Sequence, residues 1–309
     1  MSVTQYGRGG ISAKVICDST CNGVQLTTLQ LRYPRFIHSE FMTHRVFSRN
    51  ASSSRAIPTQ KLLDQVRENP AMPIHWGVNQ SGMQSEKEHS APIMDQSNDY
   101  DWFLSPQYWS REAWWKKAAE SAASYAEELH KAGYHKQIVN RILEPFLFID
   151  VIVTSTEWNN FFQLRLHQDA QPEIQELARC IHMAIYNKDQ NPRQLHLSDW
   201  DWDWGPYWHL PYVDESERVT PRQDAMVSAA RCARVSYLNH DQTEPDREKD
   251  LELATKLLDA GHMSPFEHQA TVIPNCHVQS NFNPTWYQHR KMLERERELI
   301  NDLKQRFTR

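Results

Sequence analysis

Between Thr43 and Ala56 the chain reads THRVFSRNASSSRA, a short segment in which His44, Arg45, Arg49 and Arg55 surround Asn50 and a run of serines. Arginine forks grip phosphate with two parallel hydrogen bonds, and serine hydroxyls with loop amides complete an oxyanion cradle. Taken alone, the segment also reads as a serine-rich linker carrying ordinary solubility charges. Arg141 and Arg165 lie in ILEPFLF-type and NFFQLRL segments otherwise suited to burial, so each needs either a ligand or a carboxylate partner such as Glu144, Glu157 or Glu173. A third group, HMSPFEH, holds His262, Ser264, Glu267 and His268. Its spacing is not that of a HExxH zinc site and suits hydrogen bonding to a sugar or phosphate better, so no metal is expected there.

The background charge makes these clusters informative. The chain has 309 residues, 34 Lys and Arg against 39 Asp and Glu, and a formal net charge of -5, so anions must be met by local arginines rather than by an overall field. That balance disfavours a dedicated nucleic-acid binder. Only 9 glycines are present, and neither GxGxxG nor GxxxxGK[ST] occurs, which leaves nucleotide binding to side chains. A mean hydropathy of -0.72 fits a soluble globular protein without a membrane span. The five cysteines are scattered and odd in number, and the opening MSVTQYGRGGISAK lacks an apolar export signal, so a cytoplasmic location is expected.

Elements that would position the clusters can be read from periodicity. Ile11 to Pro34 alternates β-branched runs around Asn22-Gly23 and predicts a hairpin. A short helix follows Pro34, ending in the serine-rich loop at 48–55. Residues 68–105 lack a period and read as a long surface excursion. Helices are expected over Pro106 to Gly133 with Ser105 as N-cap, over His135 to Val153 with an interruption at Pro145, and from Pro172 along the stripe Ile174, Leu177, Ala178, Ile181, Ile185. Further helices are expected over Asp224 to Arg234, over Asp246 to Ala260, and from about Pro284 onward, with HMSPFEH as a turn leading into a strand. Residues 195–213 alternate Asp and Trp and admit a strand, a low-complexity insertion or an aromatic contact surface.

Four blocks, HR-x2-S-x-N-x2-S-x-R at 44–55, LRL-x3-AQPEI at 164–174, ARVSY at 233–237 and H-x-SPFEH at 262–268, together resemble the flavin-dependent thymidylate synthases. That resemblance implies an α+β fold with a mixed, largely antiparallel sheet and long helices, in one catalytic domain over 1–309 with insertions near 68–105 and 195–213. It implies methylation of dUMP to dTMP, with FAD as cofactor, methylenetetrahydrofolate as one-carbon donor and NADPH as reductant, in a homotetramer. Ser53, Ser54, Arg55 and Arg141 would hold the dUMP phosphate. Arg165 would lie on the uracil O2 and N3 edge as the catalytic cation. His44, Arg45, Asn50, Asn160, Ser236, His262, Ser264, Glu267, His289 and Arg290 would contact FAD.

The chain departs from the family pattern in two ways. Its ARVS-type and H-x-SPFEH blocks follow the His-Arg loop instead of preceding it, so the order is that of a circular permutation. Thr43 stands where the family has its first arginine, while WYQHR at 286–290 offers a second, incomplete His-Arg segment. These departures keep two alternatives open: a flavin-dependent hydroxymethylase or hydroxylase acting on dUMP or dCMP, and a non-catalytic flavin or nucleotide binder whose Trp200, Trp202, Trp204 and Trp208 form an interaction surface. Cys276 beside His277 imitates a thiolate nucleophile, but the phosphate-binding block that accompanies one in folate-only synthases is absent, so it reads as a strand-end residue.

Overall fold

A computed structural model describes residues 4–82, 84–95, 107–187, 193–194, 200–201, 205–206, 208–235, 244–272, 281–282 and 285–307. Its centre is an antiparallel sheet in the order β1 (Thr4–Tyr6), β2 (Ser12–Cys21), β3 (Val24–Pro34), β7 (Phe148–Ser155), β4 (Ser48–Ala51). The expected hairpin is β2–β3, closed at Asn22-Gly23, where both residues take positive φ. Gly23 does so without strain, as a two-residue hairpin turn requires. Away from this path, β5 (Ile93–Asp95) pairs with β6 (Gln107–Trp109), β8 (Arg193–Gln194) runs parallel to β2, and β9 (Trp200–Asp201) pairs with β10 (Gly205–Pro206). A second small sheet is β11 (Trp208–His209), β12 (Ala270–Val272) and β13 (Trp286–Gln288).

The helices are α1 (His38–Phe41), α2 (Thr59–Glu68), α3 (Arg111–Lys131), α4 (Lys136–Leu143), α5 (Asn159–Arg165), α6 (Pro172–Ile185), α7 (Pro221–Arg234), α8 (Arg247–Asp259) and α9 (His289–Phe307). The antiparallel sheet with helices agrees with the expected mixed fold. Several boundaries differ from the sequence reading. Ser110, not Ser105, caps α3 by accepting from the Ala113 amide. The helix expected to run on to Val153 ends at Leu143; Pro145 sits in a 3-10 turn, and the apolar run that follows is β7, buried in mid-sheet. A continuous apolar stretch suits a doubly covered strand as well as a helix, and here the sheet decides. Ser48–Ala51 is a strand rather than part of a loop, because β7 offers it a ladder with Ser48 opposite Thr154 and Asn50 opposite Ile152.

Alternation along these strands divides the molecule. Leu29, Leu31, Val151 and Val153 point to one face and pack with Phe41, Phe161, Ile174, Leu177 and Ile181 from α1, α5 and α6 and with Phe47 from the α1–β4 connection. The other face carries Thr28, Thr154, Ser48 and Asn50 and is also covered. There Thr28 and Thr154 share a 2.7 Å hydrogen bond, His209 Nε2 lies 2.8 Å from Thr28 and His268 Nδ1 2.8 Å from Thr154. A register shift between Val15 and Cys17 turns Cys17 and Ser19 toward His209 as well. The C-terminal third is fastened to β4 across this face. Asn50 Nδ2 donates to the Cys232 carbonyl at 2.8 Å, at the end of α7; Ser264 Oγ donates to Asn50 Oδ1 at 3.2 Å; Gln288 Nε2 donates to Ser48 Oγ at 3.0 Å. No described helix is long and apolar enough to cross a membrane.

Two outcomes follow from this buried polar layer. Burial lowers His209, His268 and His289 to about 3 from the ordinary 6.5. Between those values the unfolded chain holds more protons than the folded one, so stability is fully present above about pH 6.5 and falls as pH drops, by about 1.4 kcal/mol per pH unit for each histidine. Asp18 and Asp150, raised by burial, work in the opposite sense and blunt the loss in acid. Thermal melts should therefore be flat from pH 7 to 8 and fall steeply below pH 6; an unchanged midpoint at pH 5 would contradict the buried placement. Asn50→Ala strips two α7-end carbonyls of their donor and should cost about 1–3 kcal/mol in urea unfolding. Asn50→Asp should cost at least as much, since a carboxylate would then face those oxygens.

Candidate active site

Arg165 ends α5, whose Phe161 and Phe162 are buried against the apolar face of the sheet, so the helix end projects over the α1–β4 connection. Its guanidinium forms an ion pair with Glu40, donates from Nε to His44 Nε2 at 2.9 Å, and reaches Thr43 Oγ1 at 3.4 Å. The partner is thus Glu40, not Glu144, Glu157 or Glu173. His44 is buried, packed edge-on against Phe161 with ring centroids 4.9 Å apart. Burial, then the neighbouring Arg165 and Arg49, lower its pKa to about 4, so it is neutral at pH 7. Because Nε2 accepts from Arg165, the ring proton is assigned to Nδ1. A guanidinium has five N–H groups, and these contacts leave one hydrogen on each terminal nitrogen unpaired among the described residues. Arg49, by contrast, donates to the Met42 carbonyl at 2.8 Å, just past the end of α1, and serves as a cap.

A second cluster forms where the turn after β4 meets the end of α4. Ser54 Oγ donates to Glu144 Oε1 at 2.6 Å, and the same oxygen lies 2.9 Å from Arg141 and 3.0 Å from Arg35. The turn is braced from below by buried Asn140, whose Nδ2 donates to the Ser54 carbonyl at 2.8 Å and the Ile57 carbonyl at 3.1 Å. Burial works against the charged form of Glu144, yet Ser54, Arg35 and Arg141 together hold its pKa below the usual carboxylate range. Three donors converging on one oxygen make an arrangement that suits a phosphate oxygen equally well. Arg55 and Ser53 lie exposed beside it, and Arg55 makes no ion pair among the described residues.

The remaining expected contacts fall into three groups. Ser264 joins Asn50, and Glu267 pairs with Arg290, which also holds Glu294 at 2.7 Å. Arg45, Asn160 and His262 are exposed, with no side-chain partner among the described residues. His289 is turned inward: it is 3% exposed, with Trp208 at 5.5 Å and Phe266 at 5.9 Å, so this conformation presents Arg290 but not His289 to a ligand. Ser236 lies outside the described residues, although Val235 just before it takes φ 57 at the C-cap of α7, a left-handed conformation that a β-branched residue adopts only under constraint. Trp202, Trp204 and Cys276 also lie outside them. Trp208 packs with Leu210, Val213 and Val227 instead of facing solvent, which removes it from any aromatic contact surface.

Arg35, Glu40 and Glu144 complete the two clusters. Glu144 was legible as an ion-pair partner of Arg141; Glu40 and Arg35 had no sequence signal, since their roles arise from chain segments over 100 residues away. None of the described cysteines is poised as a nucleophile. Cys21 is buried, and burial pushes Cys17 and Cys180 up to about 11 and Cys232 higher still. The site is therefore one of positioned cations and neutral donors.

Among the curated proteins no match was found. One solved structure that matches is a UMP/dUMP methylase, PolB from Streptomyces cacaoi, bound with 5-Br UMP; it is 20% identical, over 52% of this chain and 68% of that one, with a TM-score of 0.36. That likeness is too remote to carry residue roles across. The family model described as thymidylate synthase complementing protein matches residues 18–188, which include β3, β4, β7, both arginine clusters and α6. With more than half its length in that match, the chain belongs to the family of flavin-dependent thymidylate synthases.

Proposed function

We propose that the protein is a flavin-dependent methylase of a pyrimidine deoxynucleotide, converting dUMP to dTMP with methylenetetrahydrofolate as one-carbon donor and NADPH as reductant. The observation that carries this reading is the pair of arginine clusters within the family-matched region: one built to meet an anion, the other to meet a planar polar edge. In the reaction C5 of uracil bonds to the one-carbon unit and loses its proton, tetrahydrofolate leaves, and NADPH provides the two electrons that reduce methylene to methyl. Flavin, when bound, supplies the redox chemistry linking NADPH to the one-carbon unit. The donor set suits it: exposed Arg45, His262 and Asn160 would meet its pyrophosphate and sugars, with the Asn50–Ser264 and Glu267–Arg290 pairs as further polar contacts.

The chain's own part is positioning and electrostatics. Arg141, Ser53, Ser54 and Arg55, joined by Arg35, fix the nucleotide by its phosphate. The two open hydrogens of Arg165 address the O2 and N3 edge of the base once N3 has lost its proton to solvent, and the cation stabilises that anion, whose C5 is the stronger nucleophile. Glu40 and neutral His44 hold that guanidinium in plane. We further read the C-terminal blocks as the family's N-terminal blocks in permuted order, a reading supported by the hydrogen bonds that bring Ser264 and Gln288 onto β4. A single catalytic domain and a tetramer whose sites draw on neighbouring subunits complete the proposal.

Product mass decides between the readings. With dUMP, methylenetetrahydrofolate and NADPH, the product should be heavier by one methylene. An additional oxygen, or turnover with dCMP alone, would establish the hydroxymethylase or hydroxylase instead, and a protein that takes up no flavin would be a non-catalytic nucleotide-binding or interaction protein. Arg165→Ala should lower turnover at least 100-fold, about 2.7 kcal/mol of transition-state stabilisation, with an unchanged thermal midpoint. Arg165→Lys should recover little, because one ammonium cannot engage Glu40, His44 and a base edge together.

A further inference from the structure

Glu144 stands in an unusual place. A carboxylate that merely neutralised Arg141 would need one contact, yet its Oε1 also takes the Ser54 hydroxyl at 2.6 Å and Arg35 at 3.0 Å, from two other parts of the chain. These are the donors an incoming phosphate would need. The turn that carries Ser54 is held by the Asn140 contacts to Ser54 and Ile57 and by a 2.9 Å bond from Lys136 Nζ to the Ala56 carbonyl. The three donors thus gather around an anion that belongs to the chain. The Glu144 side chain is 22% exposed, so solvent is open to it if it leaves.

We propose that Glu144 is an internal substitute for the substrate's phosphate: it keeps the Arg35, Arg141 and Ser54 donors aligned in the free enzyme, and a ligand gains them only by displacing it. This rests on the nucleotide reading above and adds to it a determinant of specificity. Displacement favours a ligand carrying two negative charges over the single charge of the carboxylate, so monophosphates compete and uncharged nucleosides do not. It also sets a ceiling on affinity, because part of the interaction with phosphate replaces one already made. Ordering is the return: two arginine side chains that would otherwise be free when the ligand arrives are held beforehand.

The test is calorimetric titration of the full-length protein and of Glu144→Gln, first with inorganic phosphate, then with dUMP and deoxyuridine. Glutamine keeps the size and an acceptor while removing the charge. The variant should bind inorganic phosphate and dUMP at least tenfold more tightly, deoxyuridine equally, and should gain more in thermal midpoint from added phosphate than the parent does. Arg35→Gln placed on top of Glu144→Gln should remove most of that gain. If phosphate binds the variant no better than the parent, or worse, Glu144 is no competitor and the proposal fails. If phosphate tightens but dUMP does not bind either protein, Glu144's role stands and the nucleotide reading falls. Should Glu144→Gln not fold, Glu144→Ala in the presence of phosphate provides the same comparison.

Discussion

The pairing of β4 with β7 is the contact on which the site depends. Four residues, Ser48 to Ala51, lie in ladder with Ala51 opposite Val151 and Ser48 opposite Thr154. Because side chains alternate, that register sends Asn50 and Ser48 toward the C-terminal third and Arg49 and Ala51 toward α1. A slip by one residue would exchange these roles. It would remove the donor from the end of α7, the acceptor for Gln288 and the cap on α1 together. The two arginine clusters lie at the two ends of this short strand, the Arg165 group before it and the Ser54 group after it, so both inherit its placement.

Acidic partners are the second organising element. An arginine gathered with others costs repulsion unless a carboxylate offsets it, and in a chain of net charge -5 such partners are plentiful. Glu40 orients Arg165, Glu144 orients Arg35 and Arg141, and Glu267 orients Arg290. Deeper in the fold the same device is structural. Fully buried Arg231 on α7 is met by Asp250 at 2.9 Å from α8 and by Glu217 at 2.7 Å, and Asp250 also holds Arg234 at 2.6 Å, so that removing Asp250 would leave two arginines with one carboxylate. What separates the site pairs from this one is exposure: around Arg165 and Glu144 a ligand can enter, and around Arg231 nothing can.

Much of the fold was legible in the residues. The β2–β3 hairpin followed from alternation around Asn22-Gly23, and α6 from Pro172 with its apolar stripe. The helices α7 and α8, expected over Asp224 to Arg234 and over Asp246 to Ala260, form at Pro221–Arg234 and Arg247–Asp259, capped by Thr220 and Asp246. The missed elements share one cause. In β7 and β4 the local pattern permits more than one state, and pairing with a distant strand settles which. The polar residues of β3 mislead for the same reason. Thr28 and Gln30 alternate with Leu29 and Leu31 as on a strand with one wet face, yet Thr28 is fully buried and Gln30 accepts from Tyr212 Oη at 2.8 Å, because the C-terminal third lies over that face.

By itself, the sequence determined the kind of chemistry: too few glycines for a phosphate loop, an acidic background, and arginines set among serines at 44–55, 141 and 165. Motif spacing carried the family. Only the tertiary structure decided how those arginines are held. Arg165 and Glu40 are 125 residues apart, and Ser54 and Glu144 are 90 apart. No local rule can pair them, because a side chain's electrostatic partner depends on distance through space, and that is set when the β4–β7 ladder closes.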